Sequence, residues 1–422
     1  MMPPYRAVAA YFLSLSVFCV SLVFPLSAQA AKALPSPEQL VKQLDESKDA
    51  RLDIELKTGK SFLRCKLLGV VRGSGKGLPK ALRVQEGEEG KTVSLNFASI
   101  RSLTIDREKV YEAAGSGKLT GKEALAAKRS QAEAEENAKW LAKAQENKVR
   151  VWQDLSREEH EKAIEEHREM IAKVKQAIPE MELYETHEFM FCSNMPRNQV
   201  IPYAASLDKM HDMMCTMYRI KQGTPIWRGK CLVMAFLDRA QFHGFEAEFY
   251  KSKLEALSNI YGLCHQSSNG RVVISCYRGN DPNDFGQMLV HETSHGFIFR
   301  YRTMVQMPKW VNEGMAEWIG QSLVPGSTAV KRKEKHAFQV MQMSRSLNGL
   351  FTVSPFEGVY YGMASSLTDF LISTDEGKYA EFIDGIKQGK DWEQSLKDAY
   401  DATPQQLATA YGRAIGIPDL RL

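Results

Sequence analysis

The sequence predicts an α+β protein built in successive parts, and three observations predict it. Between Arg51 and Ile105 apolar residues recur at every second position. Residues 115 to 180 turn to Ala, Glu and Lys, with no proline before Pro179. From Tyr184 onward, strand-like apolar runs give way to helices with a 3.6-residue period. At 422 residues the chain exceeds what one core normally organises, so two or three units are expected. The net charge of +4, with both signs abundant and no basic cluster interleaved with aromatics, gives no sign of a nucleic-acid partner.

At the start, Arg6 precedes an apolar run from Ala7 to Leu26, and Ala28-Gln29-Ala30 has the small-x-small form that signal peptidase cuts. Residues 1–30 read as a signal peptide cleaved before Ala31, and the protein as exported, periplasmic or secreted, with no stable membrane insertion after cleavage. The alternative is a retained anchor, since the run approaches the length of a spanning helix; Pro25 and the small residues after it favour removal. Cys19 leaves with the signal, and six cysteines remain, none spaced as Cys-x-x-Cys. An exported chain can form disulfides. Cys264 and Cys276 flank a hairpin at Ser268-Asn269-Gly270 and are the preferred pair, with buried free thiols as the alternative.

Over residues 35–110, Leu52, Ile54 and Leu56, Leu63-Cys65-Leu67, Leu82-Val84 and Val93-Leu95-Phe97 alternate with polar residues between Gly-rich turns. Five short strands suggest a small SH3-like or Sm-like β-barrel, or else a simple meander, able to bind a partner. Residues 115–180 read as a charged helical linker with helices at 121–148 and 157–177, the second opened by a capping box at Ser156-Arg157-Glu158-Glu159. His160 and His167 are expected on its solvated face. Neither part contains a catalytic constellation, so both are expected to be dispensable for chemistry, with a foldable domain starting near residue 176.

In residues 181–422, His187 to Cys192, Cys231 to Phe236 and Arg271 to Cys276 read as strands, and Ile201 to Met217 as a helix. Next comes His291-Glu292-Thr293-Ser294-His295. Asp284 and Gln287 suggest the cap of a helix carrying it. Two histidines four apart on a helix share a face and can reach one metal ion. Pro308 ends that helix, and a second one starts near Trp310. It carries Glu313 and Glu317, also four apart: Glu313 is the third ligand, and Glu317 accepts the free ring N–H of a ligating histidine. Imidazoles plus a carboxylate suit Zn2+, leaving the fourth position to a water whose proton Glu292 takes. The remaining histidines, His187, His211, His243, His265 and His336, have no helical partner at ligand spacing and read as surface or satisfied core.

His-Glu-Thr-Ser-His followed after 17 residues by the Glu of Trp-Val-Asn-Glu-Gly-Met-Ala-Glu-Trp resembles the gluzincins, the thermolysin-like and aminopeptidase-like zinc metallopeptidases of the MA clan. The resemblance spans residues 180 to 420 in outline and is specific over 284 to 320 and, less so, 358 to 372. It implies a mixed-sheet lobe plus a helical lobe, and hydrolysis of peptide or protein substrates. The ligand spacing is slightly shorter than in the best-known members. No Gly-Ala-Met-Glu-Asn exopeptidase segment is present, so aminopeptidase activity is not implied. The resemblance further implies that the strand at 271–276 is the sheet edge that pairs with extended substrate. It also implies that a tyrosine opening the apolar helix at 359–374 donates to the tetrahedral oxyanion. Tyr361 is similarly placed, and Tyr360 stays open as the donor. Helices over 391–415, divided at Thr403-Pro404, close the chain. The reading to set against a peptidase is a zinc-binding but non-catalytic recognition or adaptor protein; Glu292, whose replacement would signal that loss, is intact.

Overall fold

The computed structural model describes residues 34–422 apart from 49, 58–60, 73–76, 86–90, 106–107, 114–134 and 222. The signal peptide and the first half of the expected helix at 121–148 lie outside the described residues. The protein is of the α+β class, and the chain divides into two compact units, Met1–Ala127 and Lys128–Leu422.

The first unit opens with helix α1 (Pro37–Glu46). Ser36 and Gln39 cap it reciprocally, Pro37 occupies the first turn where its missing N–H costs nothing, and Leu40 and Leu44 are buried. Six strands follow: β1 (Arg51–Leu56), β2 (Ser61–Val71), β3 (Ala81–Gln85), β4 (Thr92–Asn96), β5 (Ile100–Ile105) and β6 (Glu108–Glu112). They form an antiparallel sheet in the order β4-β3-β2-β1-β5-β6. The alternation that predicted strands also fixes the buried face, with Leu52, Ile54, Cys65, Leu67, Leu82, Val84, Leu103 and Ile105 all inside. There is one strand more than the five expected, because Glu108–Glu112 pairs back on β5. Among the described residues no ladder joins β4 to β6.

The second unit contains helix α2 (residues 135–146), α3 (Arg157–Ala177), β7 (Glu182–Glu185), β8 (Phe189–Ser193), α4 (Arg197–Met217), β9 (Cys231–Phe236), α5 (Arg239–Phe249), β10 (Gly262–Gln266), β11 (Val272–Tyr277) and α6 (Pro282–Arg300). Then come α7 (Lys309–Leu323), α8 (Ala329–Ser344), α9 (Val359–Thr374), α10 (Glu376–Lys387), α11 (Trp392–Tyr400) and α12 (Pro404–Ala414). Ser156 and Glu159 cap α3, and Thr403 and Gln406 cap α12, as their spacings predict. The sheet runs β10-β11-β9-β8-β7, with β8, β9 and β11 parallel and the two outer strands antiparallel to them.

The central strands are buried throughout and mostly apolar, because both faces are covered. Phe189, Phe191, Cys231, Val233 and Ala235 face the core shared with α4, α6, α7 and α9. Met190, Cys192, Leu232, Met234 and Phe236 face a second core that receives Met170, Ile171 and Val174 of α3. Thus α3 is built into this unit, and the boundary between units falls inside the expected linker. His167, expected on a solvated face, is buried with its Nε2 3.1 Å from the Lys230 carbonyl. The α3 face holding it is the one that meets the protein. His160 likewise has a partner, its Nδ1 accepting from the Gly229 N–H at 3.0 Å.

Two further expectations are corrected. The strand at 271–276 is interior: β11 lies between β10 and β9, and β10 is the edge. Sequence shows a strand's composition but not its neighbours, and the hairpin turn places β10 outside. Cys264 and Cys276 are both free thiols. In the β10–β11 ladder Cys264 lies opposite Ile274 and Cys276 opposite Gly262, so the two cysteines are out of register.

Candidate metal centre

Helix α6 is capped by Asp281, whose carboxylate accepts from the N–H groups of Asn283 at 2.7 Å and Asp284 at 3.1 Å, with Pro282 in the first turn. The expected cap at Asp284 is therefore corrected by three residues. A proline suits the first helical position, and the residue before it takes the extended conformation of an N-cap. Asp284 accepts instead from Ser327 Oγ at 2.7 Å and Arg332 at 3.3 Å. From this start the pentapeptide falls mid-helix. Helix α7 follows, with Val311, Met315 and Ile319 buried.

Residues 301–308 between the two helices are held from behind. Buried Lys387 donates to the carbonyls of Thr303 (3.1 Å) and Val305 (2.9 Å), and the Thr303 hydroxyl donates to the Lys387 carbonyl (2.7 Å). On another side Val151 bridges to Thr303, and Trp152 Nε1 donates to the Phe299 carbonyl at 2.9 Å. The connection that sets the helices' mutual position is thus anchored to α10 and to the segment after α2. Close approach is also required on α7. A Cβ at Gly314 would lie 2.5 Å from the Ala364 carbonyl and 2.4 Å from Thr368 Oγ1, so only glycine lets α7 lie this near α9.

The helix pair brings His291, His295 and Glu313 together. His291 Nε2 and His295 Nε2 are 3.1 Å apart, and Glu313 Oε2 is 3.2 Å from the first and 3.4 Å from the second. Three ligands held about 2.0–2.1 Å from a tetrahedral ion stand roughly 3.3–3.4 Å from one another. The three atoms already have that spacing, and the buried group could hold a metal ion. Lys309 Nζ lies 2.8 Å from Glu313 Oε1, leaving Oε2 to the histidines. Burial alone would raise the Glu313 carboxyl's pKa, but the hydrogen bonds from His291 and His295 hold it far below the usual carboxylate range. Burial opposes protonation of His291, yet the bond to Glu313 and the charges of Glu317 and Glu292 outweigh it and raise its pKa. The carboxylates thus favour positive charge at the His291 imidazole.

Glu292 stands beside these atoms and lines the cleft. Burial pushes its carboxyl up, partly offset by His291 and His295. Its Cγ packs against the edge strand, where a Cβ at Gly262 would come within 3.2 Å of it. Glu317 is buried and reaches His291, but its Oε1 is 3.5 Å from Nδ1, beyond a good hydrogen bond. Its close partner is Lys333 Nζ at 2.5 Å.

Tyr361 lines the cleft, whereas the Tyr360 hydroxyl donates to the Asn348 carbonyl at 3.2 Å and does not line it. Burial, reinforced by Glu313, Glu292 and Glu317, raises the Tyr361 phenol, which stays protonated at neutral pH. Three of the other histidines have separate partners: His211 and His187 meet buried Glu188 at 3.5 and 2.7 Å, and His265 meets Glu246 at 2.8 Å.

The cleft, about 1360 Å3, runs between β10 and helices α6, α7 and α8, with the start of α9 at one side. It exceeds the roughly 300–1,000 Å3 of ordinary small-molecule sites. Two features of its wall were not recognised from the sequence. Lys309 lies at i,i+4 spacing from Glu313 and could have been read on that basis. Lys333 left no such trace, because it comes from α8 and meets Glu317 only through packing. No family model and no curated protein matches the chain.

Proposed function

We propose that this chain is an exported zinc-dependent peptidase of gluzincin type, whose first unit, an SH3-like module, binds a partner. The observation that carries the reading is the convergence of His291 Nε2, His295 Nε2 and Glu313 Oε2 at tetrahedral-ligand spacing, with Glu292 beside them on the wall of one cleft. A two-imidazole, one-carboxylate set suits zinc. The leader-like residues 1–30 support export.

Strand β10 supports a peptide substrate. Tyr277 N–H bonds the Tyr261 carbonyl and Ser267 N–H the Arg271 carbonyl, so odd-numbered residues pair inward. The N–H and C=O groups of Gly262, Cys264 and Gln266 therefore face outward, away from β11. An extended peptide can add there as a further strand. The edge role given by resemblance to the strand at 271–276 passes to β10.

Zinc held by His291, His295 and Glu313 would supply a Lewis acid and bring the acidity of water towards neutral pH. Glu292 takes a proton from the attacking water on its carboxylate and returns it to the leaving amine. Its raised affinity for protons matches both tasks. The Tyr361 phenol donates to the oxyanion that develops on the attacked carbonyl.

The test is Glu292→Gln, which keeps size and polarity while removing the basic carboxylate. Zinc content should be unchanged, while turnover of a peptide library falls about a hundredfold or more. Equal cleavage by both proteins would remove Glu292 as the base. Zinc binding with no cleavage by either would favour the recognition-platform reading.

A further inference from the structure

Glu317 is about 1% exposed, and its Oε1 lies between two groups: His291 Nδ1 at 3.5 Å and Lys333 Nζ at 2.5 Å. Its Oε2 is buried with no hydrogen-bond partner among the described residues. A buried carboxylate with one charged neighbour depends on that neighbour. The Lys333 side chain is about 38% exposed, but Glu317 is not, so removing the lysine leaves the charge of the buried carboxylate uncompensated. Lys333 is also held in place. A Cβ at Gly362 would lie 2.2 Å from the Lys333 carbonyl, so α8 touches α9 at this residue, and Nζ is 5.2 Å from the Tyr361 ring centroid.

Resting on the zinc-peptidase reading above, we infer that Lys333 is a positioning residue for the metal centre: it fixes the Glu317 carboxylate beside His291, and the metal affinity of the site depends on it through Glu317. The lysine supplies the positive charge that keeps the carboxylate in place. With Glu317 Oε1 kept 3.5 Å from the outer nitrogen of His291, its charge favours the proton there and so leaves the inner nitrogen free for a metal.

The test compares wild type, Lys333→Met, Lys333→Arg, Glu317→Gln and the Glu317→Gln/Lys333→Met double variant. Zinc affinity is read by competition with a chromogenic chelator, and thermal stability is read on the metal-free proteins. Lys333→Met should bind zinc about ten- to a hundredfold more weakly, the scale of lost outer-shell partners. Lys333→Arg should recover to within about threefold of wild type, because it restores a cation able to bond a carboxylate. In the Glu317→Gln background, Lys333→Met should change affinity less than about threefold, because residues acting as one unit are not additive.

Wild-type affinity in a folded Lys333→Met protein overturns the inference, as does a further tenfold loss in the Glu317→Gln background. If Lys333→Met does not fold, the comparison of Glu317→Gln with the double variant decides, since that pair buries no unpaired carboxylate at 317. Absence of zinc binding by the wild type overturns the peptidase reading itself, and this inference with it. Zinc binding by wild type that Lys333→Met matches overturns this inference alone.

Discussion

His167 sits on α3 with its ring buried, and desolvation, with the charges of Arg271 and Arg228, drops its pKa to about 4, outweighing the hydrogen bond to the Lys230 carbonyl. Because the folded value is below the unfolded one, near 6.5, the unfolded chain takes up the proton first as pH falls. The ring's contribution is therefore intact above about pH 6.5 and lost progressively towards pH 4, by up to about 3 kcal/mol. Urea unfolding of wild type and His167→Gln at pH 7.5 and 4.5 should show a smaller drop in the variant, by about 1–3 kcal/mol. Equal drops would mean that the buried ring accepts its proton without penalty. The sequence placed this residue on a charged helix, and Glu165, Glu166 and Lys173 are indeed around it. Which face of α3 meets the sheet depended on partners far along the chain.

At the scale of elements, the candidate metal centre depends on how closely α6, α7 and α9 approach, and Gly314 is a point where that can be tested. An alanine there would press into the Ala364 carbonyl, which is backbone and cannot rotate away. Gly314→Ala should lower stability by about 1–3 kcal/mol, the usual cost of overpacking. It should also weaken zinc binding, because Glu313 is the preceding residue. Calorimetry and the chelator assay check the two effects, and a variant with wild-type melting and affinity would show that the helices separate freely. The glycine was legible as part of Asn-Glu-Gly, but its reason was not: close contact with α9 is invisible without α9.

For the whole molecule, the question is where the second unit's fold begins. Met170, Ile171 and Val174 of α3 are buried against the sheet, and Trp152 stacks under Arg300, 4.4 Å away, while bonding to α6. Burying three such side chains contributes roughly 5–8 kcal/mol, comparable with the 5–15 kcal/mol by which domains are stable at all. A protein starting at Lys128 should fold, bind zinc and cleave the peptide library like the full chain. One starting near residue 176 should be aggregated or melt far lower, contrary to what composition implies for a charged linker. Circular dichroism melts of the two truncations distinguish these outcomes. A stable, active protein from residue 176 would show that α3 is an attachment and not part of the core.

By itself the sequence determined the α+β class, the caps at Ser156 and Thr403, the apolar β9, and the two helices carrying His291, Glu292, His295 and Glu313. Each of these rests on interactions within a few residues, where period, proline and side-chain spacing act directly. Only the tertiary structure decided that β10 rather than β11 is the edge, that Cys264 and Cys276 are out of register, and that Tyr361 and not Tyr360 lines the cleft. The burial of α3 and the reach of Lys333 to Glu317 belong with these. All of them are contacts between segments distant in the chain, set by how whole faces pack, and no local pattern encodes which face meets which.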